Sequence, residues 1–280
     1  MIHTAMQIKA KIRNLSGGDS RKSQTLIRNY VMERFLERMS VSKYRSQFVL
    51  KGGMLVASIV GLETRATLDI DATVRALALN EENANRIITD IISIELTDGF
   101  RFRIMSEKEI MDEADYPGIR FMLEAAIDNM VQPLKIDIST GDVITPGAVE
   151  YNYPLMLEDR TISIMTYNTE TLLAEKLETI LSRGLANTRM RDFYDITVIR
   201  EKTTYNAEHL KEAFHATSLK RGTLKNLDSI HEILKEIREN EMMRNQWENY
   251  CRQSYFVGNI SWDEANDSVL QLANLALTTV

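Results

Sequence analysis

The short apolar run Phe48-Val49-Leu50 ends on Lys51 and meets a glycine pair, Gly52-Gly53; further on, Leu68-Asp69-Ile70-Asp71 sets two carboxylates one residue apart. No other part of the chain constrains the fold as much. A glycine pair between an apolar run and a helix, here expected over 54–60, makes a tight strand-to-helix turn. It also lets backbone N–H groups approach a phosphate at the helix N-terminus. A strand is expected over 68–74, and in it Asp69 and Asp71 point to the same face. Flanked by Leu68, Ile70 and Val74, the pair suits a central strand, where buried carboxylates need a counter-charge. A divalent cation supplies one. Together the two devices suggest metal-assisted handling of a nucleoside triphosphate. No G-x-x-x-x-G-K-[ST] or G-x-G-x-x-G sequence occurs, so neither a Walker loop nor a dinucleotide-binding turn is expected.

The chain has 280 residues, enough for one large or two modest domains. It is 44% hydrophobic and 26% charged, as in ordinary soluble globular proteins. A single cysteine, Cys251, excludes an intramolecular disulfide and a cysteine-cluster metal site, and fits a reducing cytoplasm. His3, His209, His215 and His231 are too scattered to ligate a metal together. The N-terminal segment lacks the apolar centre of a signal peptide, and no apolar run of about 18 residues exists. A cytoplasmic protein with no membrane span is expected. The net charge of −6 argues against a globally basic, nucleic-acid-binding surface. Local basic clusters remain at Arg183, Arg189 and Arg191, and at Lys211, Lys220, Arg221 and Lys225.

All four prolines lie between 117 and 154, and the β-like segments lie between about 47 and 165. Beyond about 168 the chain reads as helix after helix. The fold class is therefore α+β: domain 1–165 with a mixed or antiparallel sheet flanked by helices, then a helical bundle, domain 166–280. A helix is expected over 20–40, capped by Ser20, and another after Asn80. Ile119, Phe121, Leu123, Ala125 and Ile127 alternate as in a strand. So do Leu134, Ile136 and Ile138 against Lys135, Asp137 and Ser139. Later helices are expected over 169–183, 190–200, 206–216, 225–239, 242–255 and 262–277.

In the helix over 169–183, Lys176 falls within the stripe Leu172, Leu173, Leu177, Ile180 and Leu181. An ammonium there must snorkel to water or meet an anion. Asp192 and Asp195 share a helix face. They offer either a surface pair between Arg191 and Asp195 or carboxylates that hold Lys176 or a metal shell in place. Asp137, on the polar side of its strand, reads by spacing alone as an exposed carboxylate. It joins Asp69 and Asp71 only if its strand neighbours theirs.

Read together, five segments resemble, in order, the motifs of the nucleotidyltransferase AbiEii toxin family. They are Lys51-Gly52-Gly53-Met54-Leu55, Arg65-Ala66-Thr67-Leu68-Asp69-Ile70-Asp71, Lys135-Ile136-Asp137-Ile138, Thr171-Leu172-Leu173-Ala174-Glu175-Lys176-Leu177 and Arg191-Asp192-Phe193-Tyr194-Asp195. The family resembles the wider DNA-polymerase-β-like nucleotidyltransferase superfamily and supplies the toxin of abortive-infection and toxin–antitoxin pairs that act in phage defence. The resemblance implies a nucleotidyltransferase domain followed by a helical domain that contributes Lys176 and Asp192. It implies Asp69 and Asp71 as ligands of Mg2+ or Mn2+, Asp137 as the third carboxylate and base, and Asp192 as a further acid. Lys51, Gly52, Gly53, Arg65, Thr67, Lys176 and Asp195 are implied in nucleotide binding. An NTP is the implied substrate, a hydroxyl at the tRNA 3′ end the implied acceptor, and an antitoxin encoded alongside the implied partner. Two departures stand out: Gly52-Gly53 replaces the superfamily's frequent Gly-Ser, and the interval from Gly53 to Asp69 is long. An antibiotic-type small-molecule nucleotidyltransferase and a non-catalytic nucleotide- or partner-binding module are the alternatives.

Overall fold

The computed structural model describes residues 2–75, 80–111 and 117–277. The chain divides into two compact units. The first comprises Met1–Ser58, Ala66–Asp142 and Val149–Thr166, and the second Ile59–Arg65, Val143–Ala148 and Tyr167–Val280.

In the first unit the strands are β1 (Phe48–Lys51), β2 (Asp69–Val74), β3 (Arg101–Met111), β4 (Pro117–Ile127), β5 (Met130–Thr140), β6 (Val149–Pro154) and β7 (Thr161–Thr166). They form one mixed sheet in the order β3-β4-β5-β2-β1-β7-β6, which places β2 at its centre. β2 runs parallel to β5 and antiparallel to β1. The alternation read from the sequence is what is buried: Ile119, Phe121, Leu123, Ala125 and Ile127 on β4, and Leu134, Ile136 and Ile138 on β5. Each such large side chain withdrawn from water contributes about 1.5–3 kcal/mol. Residues at the intervening positions are left on the other face. Leu68 departs from expectation. It lies before the strand and is exposed, so the apolar flank of the aspartates is Ile70, Ala72 and Val74 alone.

Helices α1 (Ala5–Ser16), α2 (Ser20–Ser40), α3 (Gly52–Val60) and α4 (Glu81–Ile92) accompany this sheet. The N-cap of α2 is Asp19, not Ser20, which is its first helical residue; the Asp19 carboxylate accepts from Lys22 N–H at 2.7 Å. A carboxylate is the stronger cap because it also meets the positive end of the helix. Asn80 caps α4 as expected. α2 is pinned by Arg38, whose guanidinium donates to both oxygens of Asp98 at 2.7 and 2.8 Å. The same helix buries Glu33, which accepts from Asn29 Nδ2 at 3.0 Å and from the Met156 N–H at 3.1 and 3.2 Å. Burial pushes the Glu33 carboxyl up to about 8, against the opposing pull of those donors and Arg34.

The second unit holds α5 (Thr169–Arg183), α6 (Met190–Lys202), α7 (Ala207–Lys220), α8 (Ile230–Glu239), α9 (Glu241–Gln253) and α10 (Trp262–Leu277). The helix expected over 225–239 is a 3-10 turn, Leu224–Ser229, followed by α8; neither start has a side-chain cap. No helix among the described residues is long and apolar enough to cross a membrane.

Candidate active site

On the sheet of the first unit, residues opposite one another in register share a face. Arg120, Asp137, Asp71 and Lys51 form one such row across β4, β5, β2 and β1. Met122, Lys135 and Asp69 form the next. The two strands bearing Asp69, Asp71 and Asp137 are neighbours, so the three carboxylates occupy one polar patch at the centre of the sheet.

Each acid has a defined neighbour. The Lys135 ammonium lies on Asp69 Oδ2 and is 3.6 Å from Asp137 Oδ2. Arg120 closes a two-pronged pair on Asp137, with Nε at 2.8 Å and Nη2 at 2.7 Å. That bond, with the nearby charges of Asp69 and Asp71, holds the guanidinium even more firmly protonated than usual. Asp71 lies directly against Gly52, which has φ +67°. Thr67 donates weakly to the Asp69 main-chain and side-chain oxygens, at 3.4 and 3.3 Å. Lys51 is buried and meets Asp142 at 2.5 Å; Ser139 Oγ donates to the same oxygen at 3.1 Å. Gly52 and Gly53 begin α3. Their position at its first turn presents main-chain N–H groups and the positive end of the helix dipole.

Among the described residues no group of three or more His, Cys, Asp or Glu is gathered as a metal cage would require. Magnesium does not need one. It takes one or two carboxylates, keeps several waters and completes its shell with substrate phosphates. Asp69 and Asp71, hard oxygen donors at strand period two on one face, suit that demand, and glycine at 52 leaves room for the Asp71 carboxylate.

The second unit has its own charged centre. Lys176 is buried in α5 and does not snorkel. Its Nζ donates to Asp192 Oδ1 at 2.9 Å and Asp195 Oδ2 at 2.7 Å, both on α6. Asp195 is fully buried, which excludes the surface pair with the exposed Arg191. Its other partner is Arg65, whose Nε and Nη2 lie 2.6 and 3.3 Å from its two oxygens. Burial raises the Asp195 carboxyl, but Arg65 and Lys176 outweigh it and hold the pKa down at about 2. Burial likewise disfavours the Lys176 ammonium, and the two aspartates more than compensate, raising its pKa. The Arg65 segment is fastened further by the Tyr194 hydroxyl on the Thr64 carbonyl and by Lys202 Nζ donating to Thr64 Oγ1 at 2.7 Å.

Arg120, Asp142 and the part played by Lys135 were not read from the sequence. A signal for Arg120 existed. Asp128-Asn129 form a two-residue turn, and Ile127 paired with Met130 sets Arg120 opposite Asp137 by counting. Asp142 had none, because its partner lies on a distant strand.

No curated protein matches the chain. Among solved structures, a Helicobacter pylori protein described as a candidate nucleotidyltransferase superposes with a TM-score of 0.51 at 17% identity, covering 90% of this chain and 94% of its own. JHP933 from Helicobacter pylori superposes with a TM-score of 0.52 at 16% identity, covering 90% of this chain and 91% of its own. At such identities the likeness is one of fold. The sequence profile described as nucleotidyl transferase AbiEii toxin, type IV TA system, matches residues 34–268. That span includes every element bearing the residues above, and the chain belongs to the AbiEii nucleotidyl transferase toxin family.

Proposed function

We propose that this protein is a toxin that transfers a nucleotidyl group from an NTP to an acceptor hydroxyl, with Mg2+ or Mn2+ held by Asp69 and Asp71. The observation that carries the reading is the in-register placement of Asp71 and Asp137 on adjacent strands, with Asp69 one step along. A bound magnesium or manganese would supply neutralisation of the triphosphate charge. The chain's own groups do the rest. The N–H groups at Gly52 and Gly53 receive phosphate oxygens. Asp137, oriented by Arg120, takes the proton of the attacking hydroxyl. Pyrophosphate leaves as the new phosphodiester forms. Lys176, whose ammonium is held by Asp192 and Asp195, is the cation proposed for nucleotide binding.

The acceptor we favour is the 3′ end of tRNA, in the cytoplasm. Net charge does not support RNA binding, so the contact falls to local cations, of which Arg191 is exposed. The partner is a cognate antitoxin encoded alongside. The test is incubation of the purified chain with labelled NTPs, Mg2+ and, separately, bulk tRNA, protein and aminoglycoside. Label on tRNA, with new nucleotides at 3′ ends on sequencing, supports the reading. Label on a small acceptor favours an antibiotic-type enzyme. Triphosphate binding with no transfer to any acceptor leaves only a binding module. Asp69→Asn and Asp71→Asn are each expected to lower transfer by about a hundredfold or more.

A further inference from the structure

Lys135 is the one member of the K-I-D segment to which neither the sequence nor the proposed chemistry gives a task. Its ammonium lies on Asp69 Oδ2 and 3.6 Å from Asp137 Oδ2, so one lysine spans two of the three acids of the patch. Arg120 is different. Its fork is spent on the two oxygens of Asp137. A lysine is a compact point charge on a flexible stem and can exchange partners, whereas a two-pronged guanidinium pair is fixed in geometry. The Lys135 side chain is 29% exposed, so water can receive the ammonium when it leaves.

We propose that Lys135 is a built-in competitor for the divalent-cation site, its ammonium contesting the Asp69 carboxylate with the metal. This rests on the reading of Asp69 and Asp71 as metal ligands. An ammonium and a divalent ion on the same carboxylate repel each other, so each weakens the other's hold on Asp69. Cation binding therefore favours release of Asp69 by Lys135, towards Asp137 or solvent. The lysine sets a floor on the metal concentration at which the site fills, and it keeps the patch neutralised below that floor.

The experiment is Mn2+ titration of the full-length protein, with free Mn2+ read by electron paramagnetic resonance and no nucleotide present. The expected result is that Lys135→Met binds Mn2+ about fivefold more tightly than the natural protein, while Lys135→Arg binds no more tightly. Circular dichroism checks folding, and Lys135→Gln replaces Lys135→Met if the latter does not fold. Equal or weaker binding by the charge-removing variant, with binding by the natural protein intact, overturns the competition. Asp69→Asn and Asp71→Asn run alongside. Mn2+ binding that neither weakens overturns the metal assignment itself and the competition with it, a pattern distinct from failure at Lys135.

Discussion

Asp71 occupies the space where a side chain at position 52 would begin: a Cβ built on Gly52 would lie 2.8 Å from Asp71 Cβ and 2.9 Å from its Cγ, with Oδ2 nearer still. The same glycine has φ +67°, a conformation costly for any other L-residue. Gly52→Ala is therefore expected to destabilise the first unit by about 2–4 kcal/mol through strain and overpacking. It should also displace Asp71 and lower nucleotidyl transfer. Urea unfolding followed by far-ultraviolet circular dichroism measures the first effect. An unchanged midpoint would show that the turn relaxes without harm.

Lys176 is buried between two carboxylates of the second unit. Removing the ammonium leaves Asp192 and Asp195 buried with Arg65 as the remaining close cation, and breaking a buried pair costs about 3–5 kcal/mol. Lys176→Ala should thus lower the stability of the second unit as well as abolish transfer. Trp247 and Trp262 are the chain's two tryptophans and both lie in that unit, so their fluorescence reports its unfolding selectively. Lys176→Arg should recover stability more fully than activity.

Acid should loosen the second unit through Asp195. Its folded pKa, about 2, lies below the ordinary carboxylate value of 3.8. The stability it contributes is therefore complete above about pH 4 and is lost as pH falls through 2. The amount is about 2 kcal/mol. Tryptophan-detected urea midpoints stepped from pH 5 to pH 2 should fall in the natural protein. The fall should be shallower in Asp195→Asn, which starts from a lower midpoint at pH 7.

Glu33 works in the opposite sense. Its folded pKa of about 8 stands above the ordinary 4.5, so the folded chain holds a proton that the unfolded chain has released. Stability in the first unit should decline as pH rises from 4.5 to 8. Glu33→Gln removes that dependence and should stabilise the first unit at pH 8.5 by at least about 1 kcal/mol. Hydrogen exchange of the α2 amides across this range is the measurement. A slope that persists in Glu33→Gln would assign it to another group.

Much of this architecture was legible because local rules decided it. The period-two patterns of β4 and β5, the turn at Gly52 and the stripe of α5 are each visible within a dozen or so residues, and each appears where the pattern put it. The site's acids and Lys176 were named for the same reason. Their partners were not. Arg65 with Asp195, Lys51 with Asp142, and Lys135 with Asp69 are long-range pairs set by strand order and packing, which no single window contains. Helix α1 lies in a segment whose basic residues mask its pattern, although Ile8 and Ile12 stand at helical spacing and are both fully buried.

Arg65 belongs to the helical unit although it precedes β2 in the chain. A fragment starting at 167 would keep both aspartates and Lys176 but forfeit the guanidinium that balances them. The helical portion is thus not a cassette that one crossover could swap between homologues. Any recombinant that exchanges it must carry the stretch around 59–65 along, or inherit an acid with half its counter-charge.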